Sequence, residues 1–122
     1  MSQLILIVDD NENNRKLARD VLEFAGFNTL EARGGVEAVA LTQEHRPDLV
    51  LMDIRMPDLN GTEALKLLRE DSRTAEIPIV ALTSSTMRGD EERFLEEGFD
   101  GYLAKPISVR EFPDQVRRFL RE

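Results

Sequence analysis

Short apolar runs punctuate the chain at regular intervals: LILIV at 4 to 8, LVLM at 49 to 52 and IPIVAL at 77 to 82, with weaker ones at FNTLEA, 27 to 32, and YLA, 102 to 104. Runs of this length, bounded by charged or turn-forming residues, read as strands. Between them the period changes. Ala18, Val21, Leu22 and Ala25 fall at i, i+3, i+4 and i+7, and Phe112, Val116, Phe119 and Leu120 at i, i+4, i+7 and i+8, each the spacing of one helix face. Gly26 and Gly98 stand where helix C-caps belong, and Ser108 with Glu111 makes a capping box expected to open the last helix. Five strands alternating with five helices predict an α/β fold with a parallel sheet covered on both faces, because parallel neighbours need a crossover. The first, third and fourth runs are apolar throughout, as central strands should be, whereas FNTLEA alternates and carries Asn28 and Glu31. The second run is therefore expected at an edge.

Composition narrows the class. At 122 residues the chain is expected to form one domain over 1–122, large enough to bury roughly two-thirds of its unfolded surface. It has no cysteine, so neither a disulfide framework nor a thiolate metal site is available, as suits a reducing cytosol. MSQ leads directly into the first apolar run, which is too short to span a bilayer, and no basic leader segment precedes it. A soluble cytoplasmic protein without membrane insertion is expected. The net charge of −8 would repel a phosphate backbone, so nucleic acid is not the expected partner. A protein or a small cation fits better.

In an open parallel sheet, ligands bind beyond the carboxyl ends of the strands. Asp9 and Asp10 follow the first predicted strand, Asp53 the third, Thr83 the fourth and Lys105 the fifth, so four strands deliver polar groups to one edge. Neighbouring strands lie about 4.8 Å apart, and two unit charges 4 Å apart repel by roughly 4 kcal/mol at an effective dielectric near 20. Three carboxylates there require compensation. An all-oxygen set without cysteine or nearby histidine suits a hard divalent ion, and one with open coordination positions suits Mg²⁺, which recruits phosphate oxygens. Asp53 could then act as a nucleophile on phosphorus, with the Lys105 charge and the Thr83 hydroxyl gripping the phosphoryl oxygens. Pro106 confines Lys105 to extended backbone, and the bond between them is a candidate for the cis form.

Singly, each of these residues has an ordinary reading as a loop acid, a cap or a surface charge; their joint arrival at four strand ends does not. Asp53 and Lys105 are the least readily explained as structural. The only histidine, His45, falls at a predicted helix end, where a helix-terminus contact is its expected role. Met52 and Met56 read as packing residues beside Asp53, and Tyr102 as a half-buried strand tyrosine.

The motifs IVDDNENN, DLVLMDIRMPDLNG, IPIVALTSST and GYLAKPIS, in this order, closely resemble the receiver domain of two-component response regulators from end to end. The resemblance implies a flavodoxin-like, CheY-like (βα)5 fold with strand order 2-1-3-4-5, an order for which CheY is the general example. It further implies that Asp53 accepts a phosphoryl group from a phosphohistidine on a histidine kinase or phosphotransfer protein. Asp10, Asp53 and the backbone carbonyl of Arg55 would bind Mg²⁺ directly, with Asp9 acting through a water. Thr83 and Lys105 would hold the phosphoryl, and Tyr102 would be the switch aromatic that reorients with Thr83. Such a protein is a phosphoacceptor switch rather than a turnover enzyme, expected as a monomer that meets its target through the fourth helix, fifth strand and fifth helix. PDLVLMDI, TMRGDEERF and KPISVREF look most like stand-alone receivers of the DivK type. Arg55 and Ser85 flank the expected phosphoryl position.

One residue departs from the family pattern. Pro113, five positions after the expected Ser108 cap, would cost about 3 kcal/mol inside a regular helix, so the last helix must start late or bend. Three rival readings are weaker. A haloacid-dehalogenase-like phosphohydrolase would need an acid at position 55, where the chain has Arg55. A flavodoxin-like FMN carrier would need hydroxyls where DDNENN offers carboxylates. A scaffold receiver that is never phosphorylated would not need the intact set of Asp9, Asp10, Asp53, Thr83 and Lys105.

Overall fold

The computed structural model describes residues 3–83 and 89–120. Ten elements alternate along them: β1 (Leu4–Val8), α1 (Glu12–Phe24), β2 (Asn28–Ala32), α2 (Gly35–His45), β3 (Leu49–Asp53), α3 (Gly61–Glu70), β4 (Ile79–Thr83), α4 (Asp90–Glu97), β5 (Gly101–Ala104) and α5 (Phe112–Phe119). The strands pair in parallel in the order β2-β1-β3-β4-β5, so β1, β3 and β4 are central and β2 is an edge, as their apolar patterns require.

Alternation along the central strands divides the core into two layers. Leu6, Val50, Met52 and Ala81 point to one face, where Ala38 of α2, Leu65 and Leu68 of α3 and Phe94 of α4 cover them. Ile5, Ile7, Leu51 and Val80 point to the other, under Ala18 and Leu22 of α1 and Phe112 and Val116 of α5. Met52 and Met56 are both buried, in keeping with a packing role. No helix among the described residues is long and apolar enough to cross a membrane.

Gly26, just past α1, and Gly98, the C-cap of α4, have φ of +100° and +113°, a region that favours glycine. His45 is the last residue of α2. The expected fourth strand shifts by two residues: Pro78 has no amide to donate, the Ile77 N–H goes back to Thr74 O, and the ladder begins at Ile79.

The last helix corrects the sequence expectation. Ser108 Oγ does accept from the Glu111 N–H at 3.3 Å, but in a turn that precedes α5, and no side chain caps the helix itself. The capping box therefore does not open α5. The helix starts at Phe112, which makes Pro113 its second residue, where the missing N–H has no intrahelical acceptor to lose. Of late start and bend, the late start is the one observed, and the interior-proline penalty does not arise.

Candidate functional site

The central strands end where the chain changes from apolar to acidic, and the site is built at that edge. Asp9 continues the β1–β2 ladder by one bond, its N–H reaching Ala32 O at 3.1 Å. Its side chain is almost fully buried, at 2% exposure. Asp9 Oδ1 accepts from the Asn11 N–H at 2.9 Å, and Asn11 in turn caps α1 by accepting from the Asn14 N–H at 3.0 Å. Asp10, next in the chain, is exposed. Asp53 is the final residue of β3, with 7% of its surface exposed. One carboxylate oxygen from each of Asp9, Asp10 and Asp53 lies within 4.8 Å of the others.

Lys105, just past β5, reaches into this group. Its Nζ lies 2.7 Å from Asp9 Oδ2 and 3.3 Å from Asp53 Oδ2, so one cation bridges two acids from different strands. Burial is the largest influence on the lysine and pulls its pKa down, but the Asp9 hydrogen bond and the charges of Asp53 and Asp9 outweigh it, and the net shift is upward. For Asp53, burial is again the largest influence and pushes the carboxyl up. The Lys105 charge opposes this, and the Asp9 charge adds to it. The Arg55 N–H also donates to Asp53 Oδ1 at 3.3 Å.

Thr83 ends β4, buried to 7% exposure, and its carbonyl accepts from the Lys105 N–H at 2.8 Å. The bond between Lys105 and Pro106 is cis. On β5, Tyr102 pairs with Ala81 and Ala104 with Thr83, so Tyr102 and Thr83 belong to one face of the sheet. The Tyr102 ring is half-buried and lies tilted against Phe94 of α4, with 6.2 Å between centroids. Asp9, Asp10, Asp53, Thr83 and Lys105 thus meet at one edge, with Arg55 in the adjoining loop and Tyr102 further back along β5. Ser85 lies outside the described residues.

Arg15 supports the site, and the sequence did not reveal it. It stands in the first turn of α1, only 7% exposed, donates from Nη1 to the Asp9 carbonyl at 2.8 Å and ion-pairs with Glu31 of β2 at 3.4 Å. It fixes the backbone from which Asp9 projects. An arginine in a polar first turn reads as a solvated charge, and only the packing of α1 on β2 sets it apart.

The donor set fits a hard divalent ion: three carboxylates, one of them open to solvent, with no sulfur or imidazole among them.

Comparison with known proteins agrees with this geometry. Residues 5–117 match the response regulator receiver domain family. Over 120 residues the chain is 45% identical to the polar-differentiation response regulator DivK of Brucella anthropi and 44% identical to that of Brucella ovis, covering 98% of each chain in both cases. The chemotaxis response regulator CheY4 of Vibrio cholerae has a TM-score of 0.92 at 30% identity, over 98% of this chain and 100% of that one. The receiver domain of the sensor histidine kinase PA1611 from Pseudomonas aeruginosa, solved with a magnesium ion coordinated in its active site cleft, has a TM-score of 0.88 at 34% identity over 98% of each chain. By sequence along nearly its whole length, by strand order and by the acids gathered at the sheet edge, this chain belongs to the response regulator receiver domain family, among its DivK-like members.

Proposed function

We propose that this chain is a stand-alone cytoplasmic phosphorylation switch, whose Asp53 takes a phosphoryl group from a phosphohistidine on a histidine kinase or phosphotransfer protein. The observation that carries the reading is the convergence of Asp9, Asp10 and Asp53 within 4.8 Å beside the bridging Lys105. Asp10, Asp53 and the Arg55 carbonyl would hold Mg²⁺, with Asp9 acting through a water. When bound, the ion would screen the like charges of carboxylate and phosphoryl and orient them for in-line displacement.

In the transfer, an Asp53 carboxylate oxygen forms the new O–P bond while the N–P bond of the donor breaks, and the imidazole nitrogen leaves with the electron pair. Lys105 already stands 3.3 Å from Asp53 and would turn its ammonium to the incoming oxygens. The Thr83 hydroxyl would supply a second donor. Its movement would free the space into which Tyr102 turns, changing the packing against Phe94 and so the face formed by α4, β5 and α5, where a protein target would bind. To move a switch from 1:99 to 99:1, phosphorylation must favour the active state by about 5.5 kcal/mol.

The test is labelling by acetyl phosphate or a phosphorylated histidine kinase, read by intact mass. Asp53→Asn and excess EDTA are each expected to abolish the phosphoryl adduct; undiminished labelling of Asp53→Asn would refute the assignment.

A further inference from the structure

The pair Gly34–Gly35 has no part in the chemistry above, yet the structure leaves no room for anything larger. A Cβ on Gly34 would fall 2.5 Å from an oxygen of Asp58, and one on Gly35 would meet the Leu59 carbonyl even more closely. The loop joining β3 to α3 therefore lies directly on the amino end of α2. This contact is bonded as well as close. The helix has Gly34 at its N-cap and hence no side chain of its own to satisfy the first amides. Asp58 does so from the other segment: Oδ1 accepts from the Gly35 N–H at 3.1 Å and Oδ2 from the Val36 N–H at 3.2 Å. The Leu59 N–H, then that of Val36, hold the Asp58 carboxyl below the usual range, so it is ionised and matched to the positive end of the helix.

The same loop carries Arg55. Its base is closed by the Gly61 N–H bonding to Ile54 O at 3.0 Å, and a Cβ on Gly61 would come within 2.7 Å of the Asp53 carbonyl. With its base closed on β3 and its far side bonded to α2, the stretch from Ile54 to Asn60 is held at two points, and the Arg55 backbone lies between them.

We infer that Asp58 is a positioning residue for the metal site: by bonding the loop to the amino end of α2, it fixes where the Arg55 carbonyl stands relative to Asp10 and Asp53, and so sets the affinity for Mg²⁺. The inference rests on the Mg²⁺ reading of the acidic cluster and adds to it a residue that touches neither metal nor phosphoryl. Removing a group that orients a metal ligand typically weakens metal binding by about 10- to 100-fold.

The test is calorimetric titration of the purified chain with MgCl₂, alongside acetyl phosphate labelling rates as a function of Mg²⁺. In Asp58→Ala we expect at least a roughly tenfold rise in the Mg²⁺ dissociation constant. The labelling rate should recover at saturating Mg²⁺, so that the defect lies in half-saturation and not in the maximal rate. Asp58→Asn keeps one acceptor oxygen and should recover part of the affinity. Gly35→Ala, which displaces the loop from the α2 side, should weaken binding as Asp58→Ala does and serves if that variant fails to fold. Gln43→Ala breaks a different tie of α2, the 3.2 Å bond to Asp71, and controls for general loosening, because its Mg²⁺ affinity should match the wild type. Wild-type affinity in Asp58→Ala or Gly35→Ala, or an equal loss in Gln43→Ala, would overturn the inference. A wild-type chain that takes up no Mg²⁺ would instead overturn the reading on which it rests.

Discussion

Lys105 attracts both of the acids it touches, yet at Asp53 burial outweighs that attraction. Asp9 is buried, and its 2.7 Å bond to Lys105 is the direct compensation for its charge. Breaking a fully buried ion pair from one side costs about 3–5 kcal/mol. Because Lys105 keeps 16% of its side chain exposed, Lys105→Ala should cost somewhat less, about 2 kcal/mol in metal-free buffer by urea denaturation. Asp53 presents the reverse case. Its folded pKa lies above the unfolded value, chiefly through burial, so its ionised form costs stability at neutral pH, and that cost fades as pH falls through the raised pKa. Asp53→Asn should therefore stabilise the metal-free domain at pH 7, leaving Lys105 on its shorter bond to Asp9. With solvent screening discounted, the gain is expected at no more than about 1 kcal/mol, or about 4 °C in melting temperature for a chain of this size. It should shrink on acidification. A wild-type melting curve above that of Asp53→Asn at neutral pH would contradict the account.

At the scale of elements, the start of α5 offers a test with a change of sign. Were Pro113 inside the helix, Pro113→Ala would restore a hydrogen bond and relieve a clash, stabilising the protein by about 3 kcal/mol. At the second helical position there is no bond to restore, and alanine only adds freedom to the unfolded chain, so a loss of up to about 1 kcal/mol is expected by chemical denaturation. The proline's meaning depended on where the helix began, and that was set by the Ser108 turn, which looks in sequence like the helix start itself. The strands were more legible. Each central one is a run of consecutive apolar residues buried on both faces, and the residue closing such a run must sit at the carboxyl edge of the sheet, which placed Asp9, Asp53 and Thr83 from the sequence; Lys105 follows the weaker run of the outer strand β5. What escaped were ties between segments far apart in sequence. Asp58 on Gly35 spans 23 residues and Arg15 on Glu31 spans 16, and neither periodicity nor spacing registers a bond whose partner is fixed only once helices pack on the sheet.

The whole molecule carries a net charge of −8 and concentrates three acids at one edge, so divalent cations should stabilise it both as a diffuse atmosphere and at a site. The two contributions separate by their concentration dependence. An ion that binds only the folded state adds RT ln(1 + [L]/Kd), about 1.4 kcal/mol at tenfold excess over Kd, and this continues to grow logarithmically. Screening adds little beyond what an equal ionic strength of NaCl provides. At constant ionic strength, the melting temperature should therefore climb with the logarithm of Mg²⁺ concentration and return to its starting value with EDTA. In Asp10→Asn the slope should flatten, because on the proposed reading this exposed residue would supply a ligand oxygen, while it makes none of the hydrogen bonds that hold Asp9 and Asp53 in place. If Asp10→Asn climbed as steeply as the wild type, the stabilisation would belong to the charge of the whole surface and the three acids would not form a site.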